Sequence, residues 1–264
     1  MKNTILKIGI ILVAITIVVL GVFLVIAKTQ KVKNPVATIV IEGYDKPIKI
    51  ELDPQSAPNA VANFIKLANK GFYNDYKMTI AEKQLQADSS MEKAKLSNIK
   101  DYPESDFEYG IKADILSNGV KNYIKHKKGV ITMPNESMGY YEDLVNTANS
   151  QFYILTEDVD SYNEIQAAFG KVIDGMDVLD KIAESRVEET NEETANTQDA
   201  TSEETANTEQ TESTDENSEQ ETPKNQIVIK SITVDTFGVD YGLPEYINYT
   251  ELMNKFYSRY YNGN

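Results

Sequence analysis

The sequence contains no cysteine, a single histidine, His126, and two arginines, Arg186 and Arg259. Without thiols the chain has no disulfide framework, no thiolate nucleophile and no cysteine-based metal site. One histidine cannot build a histidine-rich metal cluster, and His126 lies in a basic turn before a predicted strand, so we interpret it as structural. These absences exclude enzymes with a cysteine nucleophile and enzymes with a cysteine-based or histidine-rich metal site.

Acidic residues are concentrated in one stretch. The formal net charge is −15, and residues 187–222 contain thirteen Asp and Glu and no Lys or Arg. The six residues 192–197 are repeated at 203–208 without hydrophobic periodicity. This composition predicts a disordered segment over 187–224. It lacks the glycine and ligand spacing of a calcium loop, so we interpret it as a spacer.

The acidic segment is predicted to be an insertion rather than a tail. Residues 226–234 regain the Ile/Val alternation of a strand after it. The entropic cost of closing a loop grows only logarithmically with its length, so a polar insertion need not unfold the domain around it.

One long apolar run is present, at residues 8–27, with no charged side chain. Its length is sufficient to cross a bilayer core of about 30 Å as a helix. We predict a transmembrane helix between a short segment, 1–7, and a linker, 28–35. Lysines flank both ends and leave the orientation open, but the order of apolar segment and soluble domain favours export. The alternative is a cleaved signal peptide ending at Ala27, although the run is longer than usual for one.

The remaining pattern predicts a mainly β domain over 36–240. β-branched runs at 36–42 and 48–52 form a predicted hairpin, and a helix is predicted from Pro58 to Gly71. Further strands are predicted at 129–133, 151–156, 168–173 and 226–234, and a second helix at 176–183. We expect a closed antiparallel β-barrel with two capping helices. The Tyr-rich extension, 241–264, is expected to dock on it as a short helix.

Three segments, at 48–73, 125–135 and 149–182, resemble motifs of the cyclophilins, the β-barrel family of peptidyl-prolyl cis-trans isomerases. Their order and spacing both match. The resemblance implies the cyclophilin-like barrel and a substrate of proline-containing peptide. Catalysis of this isomerisation lowers the barrier to rotation about the peptide bond, which is about 18 to 20 kcal/mol. It needs an apolar socket for proline, hydrogen bonds to the backbone and a donor near the proline nitrogen.

The resemblance also implies site residues. Tyr153 forms the floor of the socket, with Met133 or Pro134 beside it and Tyr162 closing one side. Alternation along the strand places Phe152 in the core instead.

Polar roles follow from the same resemblance. Gln151 and Asn135 hold the substrate backbone, Gln86 keeps the family's glutamine role, and Gln166 stands where the family has a pocket histidine. A plainer alternative for Gln151 and its strand neighbour Tyr153 is that they are ordinary barrel residues.

The sequence departs from the family at the catalytic arginine. Residues 78–81 replace the family's Phe-His-Arg motif, and a charged stretch over 89–108 replaces its glycine-rich loop. Lys77 and Lys83 bracket the lost position, but a lysine lacks the planar donor fork of arginine. The catalytic residue is therefore unknown, and we expect reduced activity.

These observations leave three hypotheses. The first is a membrane-anchored isomerase that assists the folding of exported proteins at the outer face of the cell membrane. The second is a catalytically inactive peptide-binding or scaffold module. The third makes the acidic segment the functional part. No cofactor and no nucleic-acid partner is implied.

Overall fold

The structure is a computed structural model that describes residues 13, 15–19, 21, 33–99, 107–137, 139–197 and 226–261. The described residues from 34 onward form one compact unit, and those up to 33 belong to another. Most of the predicted membrane segment, 8–27, lies outside the described residues, and within them we find no helix that is long and apolar enough to span a bilayer. The transmembrane helix stays a prediction.

Ten strands are present among the described residues. They are β1 (Val36–Ile41), β2 (Ile48–Leu52), β3 (Tyr76–Ile80), β4 (Gln84–Ala87), β5 (Tyr109–Ile111), β6 (Val130–Met133), β7 (Tyr153–Leu155), β8 (Ala167–Asp174), β9 (Gln226–Asp235) and β10 (Tyr246–Asn248). Eight of them close an antiparallel barrel in the order β1-β2-β8-β6-β7-β4-β3-β9, and β5 pairs with β10 in a separate two-stranded sheet. The predicted mainly β barrel is confirmed.

The first hairpin follows the predicted pattern. β1 and β2 pair antiparallel with Val36 opposite Glu51 and Ile39 opposite Ile48. Side chains alternate between the barrel core and the outer face, as period-two patterning requires. Gly43 adopts φ +79° in the connecting turn, a conformation in which a residue with a Cβ is disfavoured.

β9 closes the barrel after the acidic insertion. It pairs with β1, where Val36 lies opposite Asp235, and with β3, where Tyr76 lies opposite Ile229. The chain therefore returns to complete the barrel, as the Ile/Val alternation of residues 226–234 predicted.

Helices α1 (Pro58–Asn69), α2 (Leu96–Ile99), α3 (Met176–Thr197) and α4 (Tyr249–Tyr260) accompany the barrel. Pro58 opens α1 at a position where its missing N–H costs nothing. Phe64 of α1 contacts Tyr73, Phe152 and Phe169 at ring-centroid distances of 5.4, 5.4 and 5.5 Å. Phe152 is fully buried in this aromatic core, as predicted.

The structure differs from the sequence expectation where the insertion begins. Helix α3 does not end near Ala183 but continues to Thr197, into the segment 187–224 that was predicted to be disordered. Its first turns are fixed by burial of Val178, Leu179 and Ile182. Between Glu184 and Thr197 the sequence has five Glu, a residue type that favours helix. Residues 198–225 lie outside the described residues.

The C-terminal extension docks as its aromatic pattern predicted. Phe256 of α4 is buried and contacts Tyr141 edge to face at 5.1 Å. The guanidinium of Arg259 donates to Asp143 at 2.6 Å. Helix α4 thus lies against the 3₁₀ turn Glu142–Thr147, while β10 just before it pairs with β5.

Candidate functional site

A pocket of about 280 Å³ opens on the outer face of the barrel, where β6 ends and β7 begins. Four of its lining residues were predicted site residues: Pro134, Asn135, Gln151 and Tyr153. The other four are Lys93, Glu136, Thr147 and Asn149. We call it the Tyr153 pocket.

Strand alternation explains why Gln151 and Tyr153 face outward. β6 and β7 pair with Thr132 opposite Tyr153. Phe152 and Ile154 are buried in the core, whereas Gln151 and Tyr153 are half-buried. The predicted split between inward and outward residues is confirmed.

Tyr153 has an apolar surrounding. It packs against a small buried cluster that includes Val130, Leu155 and Ala168. The ring of Tyr162 lies 6.4 Å away, inclined at 42°. Burial, and the nearby Tyr162, raise the pKa of Tyr153, so its hydroxyl is neutral at physiological pH. The two rings together form one aromatic surface.

A hydrogen-bonded chain joins two more predicted residues. The Tyr162 hydroxyl donates to Gln84 Oε1 at 3.0 Å, and Gln84 Nε2 donates to Gln86 Oε1 at 3.0 Å. Gln84, which is 7% exposed and connects the two, was not a predicted site residue. Its place opposite Leu155 in the β4–β7 ladder could not be read from a strand that was not predicted.

Three predicted residues have other surroundings. Met133 is fully buried in the main core, so of the two alternatives beside Tyr153, Pro134 is the residue that lines the pocket. Asn135 Nδ2 donates to the carbonyl of Ile165 at 2.7 Å, so this side chain also shapes its own loop. Gln166 does not line the pocket, and its buried Oε1 has no hydrogen-bond partner among the described residues.

The segment that replaces the arginine motif forms β3. Its outward side chains are Lys77, which is exposed, and Thr79, which is half-buried. Neither Lys77 nor Lys83 lines the Tyr153 pocket. Thr79 therefore stands where the replaced motif borders the outer face, and it carries no charge.

A different cation, Lys93, lines the pocket. Its ammonium forms an ion pair with Glu136 and lies 5.0 Å from the ring centroid of Tyr249 in α4. The Tyr249 hydroxyl donates to the Glu136 carboxylate at 3.0 Å. Burial, and this carboxylate, raise the pKa of Tyr249 above its usual value. None of these three residues was predicted, because they come from segments far apart in the chain and match no motif.

His126 is structural, as interpreted from the sequence. It is 1% exposed, its Nε2 lies 2.9 Å from Thr132 Oγ1, and its Nδ1 lies 3.2 Å from Asn163 Oδ1. Burial lowers its pKa. The ring contacts Tyr162 edge to face at a centroid distance of 5.9 Å, and it does not line the Tyr153 pocket.

A closed eight-stranded antiparallel barrel with a half-buried Tyr/Gln pocket on its outer face defines a β-barrel protein with a candidate ligand pocket. The family described as cyclophilin type peptidyl-prolyl cis-trans isomerase/CLD matches residues 36–234. The chain belongs to this family.

The chain is also similar to individual proteins. The chain is 27% identical over 159 residues to a probable peptidyl-prolyl cis-trans isomerase of Brucella suis, covering 59% of this chain and 76% of that protein. It is 33% identical over 150 residues to peptidyl-prolyl cis-trans isomerase A of Dickeya dadantii, covering 53% and 68%. A solved cyclophilin-type isomerase of Cryptosporidium parvum superposes with a TM-score of 0.44 at 20% identity, covering 76% of this chain and 98% of that one.

Proposed function

We propose that this protein is a peptidyl-prolyl cis-trans isomerase of reduced activity that acts on proline-containing segments of exported proteins. One observation carries the proposal. The pocket brings Pro134, Gln151 and Tyr153 together on the outer face, with Tyr162 beside Tyr153. This arrangement supplies an apolar surface for the proline ring and an amide at its edge for the flanking backbone.

The reduction in rate follows from the missing guanidinium. Arg259 is engaged with Asp143, and Arg186 lines a different pocket with Lys128 and Asp180. Neither arginine lines the Tyr153 pocket. Loss of one donor that stabilises a transition state costs about 3 to 4 kcal/mol, which is about 100-fold to 1,000-fold in rate.

The site of action is proposed at the outer face of the cell membrane. Its support is the uncharged apolar run at 8–27, which precedes the barrel domain in the sequence. Cell fractionation followed by protease treatment of intact spheroplasts tests this location. Recovery of the barrel domain in the membrane fraction and its digestion from outside are the expected results, and full protection from protease contradicts the proposal.

A peptide-binding module without catalysis is the second candidate. It is favoured by Thr79, which is uncharged, and by Lys93, whose charge is already paired with Glu136. In this case the pocket binds proline peptides but leaves the rate of isomerisation unchanged.

One set of measurements separates the two candidates. We expect the full chain to accelerate isomerisation of an Xaa-Pro peptide above the uncatalysed rate and Tyr153→Ala to remove at least about nine-tenths of the gain, because the proline loses its floor. Tyr123→Ala, at a position 69% exposed, is the matched control and keeps the rate. Peptide binding that depends on Tyr153 without any acceleration supports the second candidate. Absence of both contradicts both.

A further inference from the structure

The Tyr153 pocket holds an ion pair neither member of which was a predicted site residue. Lys93 belongs to the charged stretch after β4, and Glu136 follows β6. Their side chains are 26% and 35% exposed, so the pair is partly shielded from water. Such a pair is screened less than a surface pair and affects any charged group that enters beside it.

Lys93 is held through its neighbour. The backbone N–H of Ala94 donates to Ser150 Oγ at 2.9 Å, and its carbonyl accepts from Asn149 Nδ2 at 3.1 Å. Ala94 is fully buried. The backbone beside Lys93 is therefore fixed to Asn149 and Ser150, which directly precede Gln151.

Glu136 is held from two sides. Its backbone N–H donates to Thr147 Oγ1 at 2.7 Å, which joins it to the 3₁₀ turn against which α4 packs. Its carboxylate accepts from Tyr249 in α4 at 3.0 Å. The C-terminal extension thus reaches one wall of the pocket and holds the anion of the pair in place.

We propose that the Lys93–Glu136 pair, positioned by Tyr249, makes this pocket accept uncharged side chains near the substrate proline and reject charged ones. A carboxylate that enters meets an ammonium already neutralised and the like charge of Glu136. A substrate ammonium meets a carboxylate that is already neutralised and the like charge of Lys93. Rejection of unwanted partners by like charge and by desolvation is an established route to specificity. The inference rests on the proposed function, since it assigns a substrate class to the same site.

The test uses the full chain and a set of proline peptides. In each peptide one position is varied, among the two before the proline and the two after it, and it carries Ala, Gln, Glu or Lys. Binding is measured by calorimetry or by NMR titration. At one position we expect the Ala and Gln peptides to bind at least about fivefold tighter than both the Glu and the Lys peptides, the ratio that a partly exposed ion pair can supply.

Removal of one partner is expected to convert rejection into preference. In Lys93→Met the unpaired Glu136 makes the Lys peptide bind tighter than the Glu peptide, and in Glu136→Gln the order reverses. Exchange of both residues, K93E with E136K, restores the pair with its charges swapped and restores rejection of both charged peptides. The exchange variant also shows that the single variants do not act through misfolding.

Tyr249→Phe removes the hydroxyl that holds Glu136 and keeps the ring. We expect discrimination against charged peptides to fall, with less than about a twofold change for the Ala peptide. The matched control is Tyr257→Phe on the same helix, at a residue 49% exposed, which leaves discrimination unchanged.

Peptides that bind in a Tyr153-dependent manner but show no charge preference in any variant overturn this inference and leave the proposed function standing. Failure of every peptide to bind overturns both. A charge preference in the wild type that survives both single variants also contradicts the assignment to this pair.

Discussion

Thr79 lies directly opposite Gln86 in the ladder between β3 and β4. Side chains of opposite residues on one face have Cβ atoms about 4.5 to 5.5 Å apart. Gln86 is joined through Gln84 to Tyr162, which packs beside Tyr153. Thr79 is therefore the position from which a long cationic side chain would extend along the outer face toward the candidate proline site.

The first prediction is a gain of function. Thr79→Arg supplies a planar set of donors beside Gln86, and we expect isomerisation to accelerate by about 100-fold, the value of one such donor in the transition state. The matched control is Thr233→Arg, which places the same charge on an exposed strand position of β9. An equal rate in both variants would contradict the proposal that a missing guanidinium limits the rate.

The barrel was predictable because its signal is local. β1, β2 and β9 carry β-branched residues at alternate positions, and α1 carries Pro58 at its start and apolar residues at helical spacing. β3 and β4 were not predicted as strands, although Tyr76, Met78 and Ile80 alternate with polar residues along β3, which is the pattern of a half-buried strand.

The candidate site was predictable only in part. Motif resemblance located Pro134, Gln151 and Tyr153, which do line one pocket. It could not locate Lys93 or Tyr249, since their contacts with Glu136 depend on packing of the C-terminal helix and not on any sequence spacing.

A second prediction concerns pH. Asp114 is fully buried, accepts from the N–H of Ala60 at 2.8 Å and from Asn59 Nδ2 at 3.0 Å, and burial raises its pKa to about 6 despite these bonds. Between about pH 4 and 6 the folded state holds a proton that the unfolded state has released. Stability from this group is thus present at low pH and falls as pH rises, by about 2 to 3 kcal/mol in all.

Asp114→Asn isolates this effect. The free energy of unfolding is measured by chemical denaturation from pH 4 to 7. In the variant, we expect the part of its fall with rising pH that comes from Asp114 to be absent. His126, whose lowered pKa contributes a slope of opposite sign, is common to both proteins and cancels in the comparison. Identical pH profiles for the two proteins would contradict the raised pKa.

A third prediction tests the close approach at Gly110 of β5. A Cβ at this position would overlap the carbonyl oxygen of Asn146. Gly110→Ala is therefore expected to lower the free energy of unfolding by about 1 to 3 kcal/mol. It should also weaken peptide binding, because a shift at Asn146 moves Thr147, which holds Glu136.

The control for this prediction is Gly119→Asn. Gly119 adopts φ +81° with open space around it, and asparagine tolerates that conformation better than most residues. We expect a loss below about 1 kcal/mol. Equal losses in the two variants would argue against a steric cause at Gly110.

A fourth prediction concerns the docking of α4. Phe256 is 5% exposed, and its truncation to alanine removes the contact with Tyr141. Phe256→Ala is expected to cost about 3 kcal/mol locally and to speed hydrogen exchange throughout α4 while barrel amides keep their protection. Tyr257→Ala, at a residue 49% exposed, is the matched control with little change. Uniform loss of protection in the barrel would mean that α4 and the barrel unfold as one unit.

The pairing of Val36 with Asp235 brings the first and last barrel strands together across nearly the whole domain. During synthesis the nascent β1 must wait for β9 to leave the ribosome before its outer edge finds a partner. Native contacts between residues so distant in sequence form slowly. The half-made barrel exposes an open strand edge during this interval. We expect this molecule, itself proposed to assist folding, to depend on a holding chaperone during its own maturation.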